Sequence, residues 1–328
     1  MATITTQNST WTSNASKEPG FITWERLSPN DPRFILAVTS CSFICFIAIF
    51  GNLRNLIMIY NCRRLHDMNN LCICNLAVVD FLTGLIVLPL GISTLAAKTL
   101  GYLLCQIQGF FTLLLYLSSL AATSIISVDR CSAVVNPFGY KSHITVSKCA
   151  FIATFTWFIP SIISILPLLG FERIGLGKFY VLLICGISFD HPIENFIVSW
   201  ILTIFLVVNI VTICMSYLVI FTVAYRKTVQ DLTRNSKLSR SIRTTGLIVG
   251  TNFLFWLPYI VLNVQDFVYN TSVPPVPTTL NYFTTIACLM ALSSPAINPI
   301  IYAATSKHLR KRFTRVGIPS QSTYVGRK

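Results

Sequence analysis

Phe34 to Tyr60 reads FILAVTSCSFICFIAIFGNLRNLIMIY, a run in which Arg54 is the one charged side chain. A helix that crosses a bilayer needs about 20 mainly apolar residues, because in hydrocarbon every backbone N–H and C=O must be satisfied within the segment. Phe34 to Tyr60 meets that length. Six more runs of the same character follow: Leu71 to Ala96, Leu104 to Val128, Cys149 to Leu169, Phe196 to Tyr225, Thr244 to Gln265 and Thr279 to Thr305. The whole chain agrees with its parts. It has 328 residues, 53% of them hydrophobic and only 11% charged, with a mean hydropathy of +0.66, too apolar for a surface that must face water.

The expected fold is all-α, a seven-transmembrane helix bundle over residues 34–305. An extracellular tail, 1–33, precedes it, and 306–328 follow as a short amphipathic cytoplasmic helix and tail. In the latter, Leu309 and Phe313 stand at i, i+4 among basic residues, which suits a helix lying on a lipid surface. An odd number of crossings puts the termini on opposite sides, and loop charge says which side each takes. One set of connections holds Arg63, Arg64, Lys141, Lys148, Arg226, Lys227, Arg234, Lys237, Arg240 and Arg243; the other holds Lys98, Arg173 and Lys178. The first set is cytoplasmic, which places the N-terminus outside and the chain in the plasma membrane. Acceptor sequons for glycosylation at Asn8, Asn14 and Asn270 then all fall outside.

The net charge of +14 does not imply nucleic acid, since the basic residues sit beside membrane spans rather than along one soluble face. Anionic lipid and a cytoplasmic partner explain them. No signal peptide precedes the polar first thirty residues, and the first span is expected to serve as the targeting signal. Of the 11 cysteines most lie within spans, as small apolar packing residues. Cys105 and Cys185 fall on the outer, oxidising side, where a disulfide between them would pin the loop after the fourth span over the bundle.

Polar groups in hydrocarbon are costly, so those in spans are functional candidates. Asp80 stands in the middle of the second span, where an ionised carboxylate needs a cation or strong donors; the alternative is a neutral, hydrogen-bonded packing residue. Asp129 and Arg130 end the third span, and a guanidinium there can exchange a neighbouring carboxylate for a partner's carbonyls, or merely snorkel to the cytoplasm. Pro258 and Pro299 interrupt the sixth and seventh spans and could act as hinges. Arg54 is expected to snorkel inward or to pair with Asp80 or lipid phosphate.

Asn52 in Gly51-Asn52, Leu76-Ala77-x-x-Asp80, Cys105, Asp129-Arg130-Cys131, Trp157, Cys185, Phe255-Trp256-Leu257-Pro258 and Asn298-Pro299-x-x-Tyr302 together resemble the signatures of class A, rhodopsin-like G-protein-coupled receptors, in order along nearly the whole chain. The resemblance implies a receptor that passes an extracellular ligand's signal to a heterotrimeric G protein, with arrestin a further cytoplasmic partner. It implies that Arg130 engages the G protein, that Pro137 and Phe138 form the segment inserting into it, and that Tyr217 and Tyr302 move inward on activation. Trp256 would sense ligand from the pocket floor. Asp80, Ser119, Ser294 and Asn298 match positions that hold a sodium ion in the family, and hard oxygen ligands suit such a cation. The sequence also departs from the pattern. Asn209 stands in place of a proline and Asn252 in place of a phenylalanine, which alters the usual connector between pocket and core; Leu238 stands where some relatives pair an acid with Arg130, so one inactive-state restraint is missing and a raised ligand-free signal is expected.

The family's retinal-binding lysine is replaced by Leu292, which argues against a photopigment, and its amine-pairing aspartate by Thr112, which disfavours a monoamine. Thr112, Tyr116, Asn263 and Asp266 are pocket candidates, with Asp190 and Glu194 at the entrance, and their acidity would suit a cationic ligand or a peptide; Asn263 matches an asparagine that grips purines in adenosine receptors. Three other classes compete. A transporter would show paired repeats with broken helices, which are absent from the sequence. An enzyme would need a nucleophile with a base or a metal cluster, yet His66, His143, His191 and His308 all lie in loops or at ends, so no enzyme is expected. A receptor-like protein that has lost coupling would accommodate Cys131, Asn209 and Asn252.

Overall fold

The computed structural model describes residues 21–22, 30–61, 68–96, 100–136, 139–140, 146–171, 175–176, 179–181, 185–187, 196–226, 236–269 and 282–305. Its helices are α1 (Pro32–Asn61), α2 (Met68–Leu82), α3 (Leu88–Ala96), α4 (Tyr102–Val135), α5 (Val146–Ile165), α6 (Phe196–Arg226), α7 (Ser236–Tyr269) and α8 (Tyr282–Thr305). A π-helical turn, Thr83–Val87, joins α2 to α3, so the two make one span and the bundle has the seven crossings expected. Six of these are long and apolar enough to cross a bilayer by length and hydropathy alone, and the fourth is represented by the shorter apolar stretch Ala153–Leu169.

Local chemistry explains where several elements start and bend. Asp31 caps α1: its Oδ1 accepts the backbone N–H of Arg33 at 2.8 Å, Pro32 fills the first helical position, and the Arg33 guanidinium pairs with the carboxylate at 2.6 Å. The side-chain hydrogen bond from Arg33 holds the Asp31 carboxyl below the usual carboxylate range. In the second span, Pro89 has no N–H to give to the carbonyl four residues back and would clash with it. The wider π turn before it absorbs that conflict. The fourth span ends in a 3-10 turn, Leu166–Leu169, closed by Gly170 at a φ of 71°.

The third-span helix α4 runs through the centre, packed against the second, fourth, fifth and sixth spans. Apolar layers surround it. Cys41, Ile44, Ala48, Leu88, Leu289, Leu292 and Ala296 join the first, second and seventh spans. Leu76, Ala122, Ile126, Ile248, Ile301 and Tyr302 fill the inner half, and Leu117, Ile163, Val198 and Leu202 seal the third, fourth and fifth spans. Large apolar side chains on the outer surface, among them Phe43, Phe46 and Phe50 of α1, face where lipid would be. Close approach depends on a missing side chain at Gly51, where a Cβ would lie 2.8 Å from the Pro299 ring.

At the end of the bundle that loop charge assigns to the outside, strands Phe179–Val181 and Cys185–Ile187 form an antiparallel hairpin. Cys185 is disulfide-bonded to Cys105 at the top of α4, with Cα atoms 5.4 Å apart, as the sequence led us to expect. Phe179 of the hairpin is fully buried against Gly109, which has no side chain to obstruct it. A second pairing joins Phe21–Ile22 of the N-terminal tail to Leu100–Gly101, ahead of α4.

Candidate functional site

The buried polar side chains form a column down the bundle interior. At its outer part the Tyr116 ring meets Trp256 edge to face at 5.0 Å, and Trp256 meets Tyr259 at 6.0 Å. The Tyr116 hydroxyl is buried with no hydrogen-bond partner among the described residues, which is the condition of a group that a ligand could satisfy. Thr112, a turn above, spends its hydroxyl on the Gln108 carbonyl at 2.7 Å. Asn263 and Asp266 lie within α7, but their side chains are outside the described residues, as are Asp190 and Glu194.

One turn below Trp256, Asn252 accepts a hydrogen bond from the Ser294 hydroxyl at 2.5 Å and so ties the sixth span to the seventh. Asn209, the other asparagine that departs from the family pattern, accepts the Ser124 hydroxyl at 2.7 Å, which ties the fifth span to the third; its Nδ2 donates to the Phe205 carbonyl at 2.8 Å. Both substitutions thus put interhelical hydrogen bonds where apolar contact would otherwise carry the connection. One helical turn on from Ser294, Asn298 Nδ2 donates to Asp80 Oδ2 at 2.8 Å, and both residues are fully buried. Asn52 Nδ2 donates to the Pro295 carbonyl at 3.0 Å, bracing the first span against the seventh.

Asp80 Oδ1 and Asn298 Oδ1 have no hydrogen-bond partner among the described residues, although Ser119 lies beside the carboxylate. Two unpartnered oxygens, one on a carboxylate with no exposure to solvent, are the donor set a small hard cation takes. The residues present therefore fit a sodium ion. No cluster of three or more His, Cys, Asp and Glu residues able to hold a metal occurs among the described residues.

At the opposite end from the disulfide, which loop charge assigns to the cytoplasm, Arg130, buried, pairs with the carboxylate of its neighbour Asp129. Tyr140, beyond the third span, donates its hydroxyl to the other oxygen of Asp129 and receives Arg130 Nη2 at 3.5 Å. Burial, then the bond to Asp129, pushes the Tyr140 hydroxyl above its ordinary range, which keeps it a neutral donor. The Tyr217 and Tyr302 hydroxyls are buried and have no partner among the described residues, with Tyr302 packed beside Ile248 and Leu76. Pro137, Phe138, the helix expected after Ser306 and the sequons at Asn8, Asn14 and Asn270 lie outside the described residues, and so does the Leu238 side chain.

Some linkages were not anticipated from the sequence. Asn75 Nδ2 donates to Thr156 Oγ1 and Asn75 Oδ1 accepts from Trp157 Nε1, each at 3.0 Å, bridging the second and fourth spans. Polar residues spaced far apart along the chain were its only signal.

Seven apolar helices around one buried polar column, with a loop hairpin locked over the outer end, define a seven-helix membrane receptor. Residues 51–302 match the family described as 7 transmembrane receptor (rhodopsin family), and the chain belongs to it. It is a multi-pass membrane protein and a G-protein-coupled receptor, one that carries the signal of an extracellular ligand to a heterotrimeric G protein. Among similar proteins, trace amine-associated receptor 9 of Homo sapiens is 29% identical, over 83% of this chain and 81% of that protein. Trace amine-associated receptor 365 of Petromyzon marinus is 26% identical, over 81% of this chain and 75% of that protein. The fold matches squid rhodopsin with a TM-score of 0.75 at 19% identity, covering 90% of both chains.

Proposed function

We propose that the ligand enters between the outer ends of the third, fifth, sixth and seventh spans, and that Tyr116 and Trp256 relay its presence down the polar column to Arg130. The observation that carries this reading is the ring contact of Tyr116 with Trp256, one helical turn from Asn252 and its bond with Ser294. A ligand that fills the space over Trp256 or bonds the Tyr116 hydroxyl shifts the sixth span at Pro258. The Tyr217 and Tyr302 hydroxyls then gain partners, and Arg130 leaves Asp129 for the G protein. Phe138 packs against that partner, and arrestin uses the same inner face.

The N-terminus lies outside, in the plasma membrane, with glycans at Asn8, Asn14 and Asn270, while the basic inner loops and the segment after Ser306 bind anionic lipid. A sodium ion held by Asp80, Ser119, Ser294 and Asn298 offsets the buried carboxylate in the inactive state. The relatives' names speak of trace amines, but position 112 here is threonine, which can offer no charge to an ammonium group. The ligand is therefore read as a small molecule other than a monoamine, purine-like molecules included, or as a peptide. A panel of monoamines, purines, neutral lipids and peptides, read out through chimeric G proteins in transfected cells, tests this. A second-messenger response to a non-amine is expected; a saturable response to a monoamine at sub-micromolar concentration would overturn the ligand assignment.

A further inference from the structure

Hydroxyls in these helices mostly donate to the carbonyl one turn back, as Thr39, Ser42, Thr83, Thr112, Thr123 and Ser127 do. Ser294 gives its proton elsewhere, to Asn252 Oδ1 at 2.5 Å, and so joins the seventh span to the sixth. The seventh span is itself braced beside that bond, because the carbonyl of Pro295, the next residue, takes Asn52 Nδ2 of the first span at 3.0 Å. Ser294 is therefore anchored, and Asn252 is the side chain by which the sixth span holds to it. Asn252 and Trp256 are one turn apart, about 6 Å along the helix axis, and both precede Pro258, where α7 lacks a backbone hydrogen bond. They ride on one unbroken stretch of helix. Whatever moves that stretch by displacing the Trp256 ring from Tyr116 carries Asn252 with it. A hydrogen bond of 2.5 Å is lost once its atoms part beyond roughly 3.5 Å, so about 1 Å of movement is enough.

We propose that the Asn252–Ser294 bond is a latch that holds the sixth span in its resting place, and that its strength sets how much of the receptor signals without ligand. The proposal rests on the reading of Trp256 as the residue that senses ligand, and adds to it the bond that such sensing must open. Opening costs little. The freed Ser294 hydroxyl can turn back to a carbonyl of its own helix, as the other hydroxyls do, so the latch contributes about one net hydrogen bond rather than the penalty of a buried unpaired group. A latch of that size biases the resting form without locking it, and leaves the sixth span within reach of a ligand of ordinary affinity.

The test needs no ligand. Membranes from cells expressing the full-length receptor with chimeric G proteins are read for guanine-nucleotide exchange at matched receptor amounts, in N-methylglucamine chloride without sodium, so that no cation effect at Ser294 enters the comparison. Asn252→Leu should raise the ligand-free exchange roughly two- to tenfold over the wild type, the worth of one hydrogen bond while the active form remains the minor one. Asn252→Ala, which brings no bulk, should do the same, so the test does not depend on one variant folding. Ser294→Ala should match them, and because the two side chains act through one bond, Asn252→Leu with Ser294→Ala should exceed neither single variant. Adding Arg130→Ala should return every variant to background. Exchange at or below the wild-type level in the Asn252 variants would overturn the latch and leave the receptor reading standing, and fully additive gains would also overturn it. Raised exchange that survives Arg130→Ala would overturn the proposed path from Trp256 to Arg130, and the place of the latch in it.

Discussion

Arg130 is held from two directions, by Asp129 directly and by Tyr140 through Asp129. The Tyr140 hydroxyl is a restraint located outside the third span, and it bears on the expectation that an apolar Leu238 leaves Arg130 loosely held. Tyr140→Phe should raise the ligand-free second-messenger signal at matched surface amount, and a signal at or below that of the wild type would remove Tyr140 from the restraint. The Ser124–Asn209 bond is likewise open to measurement. Ser124→Ala and Asn209→Leu should each lower the unfolding midpoint, and a double-mutant cycle should return a coupling of about 0.6 to 1 kcal/mol; zero coupling would mean the bond contributes nothing. The sequence made the separate candidates legible, since Asp80, Arg130, Asn209 and Asn252 are polar residues inside apolar runs. Which of them meet was not legible: Asn252 and Ser294 are on different spans, and no local pattern marks a pair whose contact depends on helix rotation and tilt.

The spans themselves were readable because a membrane helix is announced by continuous hydropathy rather than by a subtle period. Their ends were less so. α7 begins at Ser236, well before the expected Thr244, because Lys237, Arg240 and Arg243 end the apolar run without ending the helix. The π turn Thr83–Val87 escaped the sequence reading for a related reason: it changes the hydrogen-bond ladder without changing hydropathy, and Pro89 alone hints at it. Contact between the first and seventh spans depends on Gly51 lying against Pro299. A methyl group there has no flexible neighbour to displace, so Gly51→Ala should destabilise the receptor by about 1 to 3 kcal/mol, read as a lower unfolding midpoint. An unchanged midpoint would show that the two helices separate at little cost.

Across the whole molecule the disulfide-locked hairpin, the buried polar side chains and Arg130 belong to one helix bundle, and the fold serves to connect them. The Cys105–Cys185 disulfide fixes the outer end, so Cys185→Ser and Cys105→Ser should cost the same in surface yield and thermal stability, about 2 to 4 kcal/mol, and the double variant should cost no more than either. Unequal losses would mean that one cysteine has another role. Orientation is open to a simple check: tags at the two ends of the chain should be found on opposite sides of the membrane, the front one outside. The chain's coupling function is tested most directly by the second-messenger response to whichever ligand the panel returns, measured in cells carrying the wild type or Arg130→Ala at equal surface amounts. Loss of the response with ligand binding retained is the expected result; an undiminished response in Arg130→Ala would contradict a signal path that ends at this arginine.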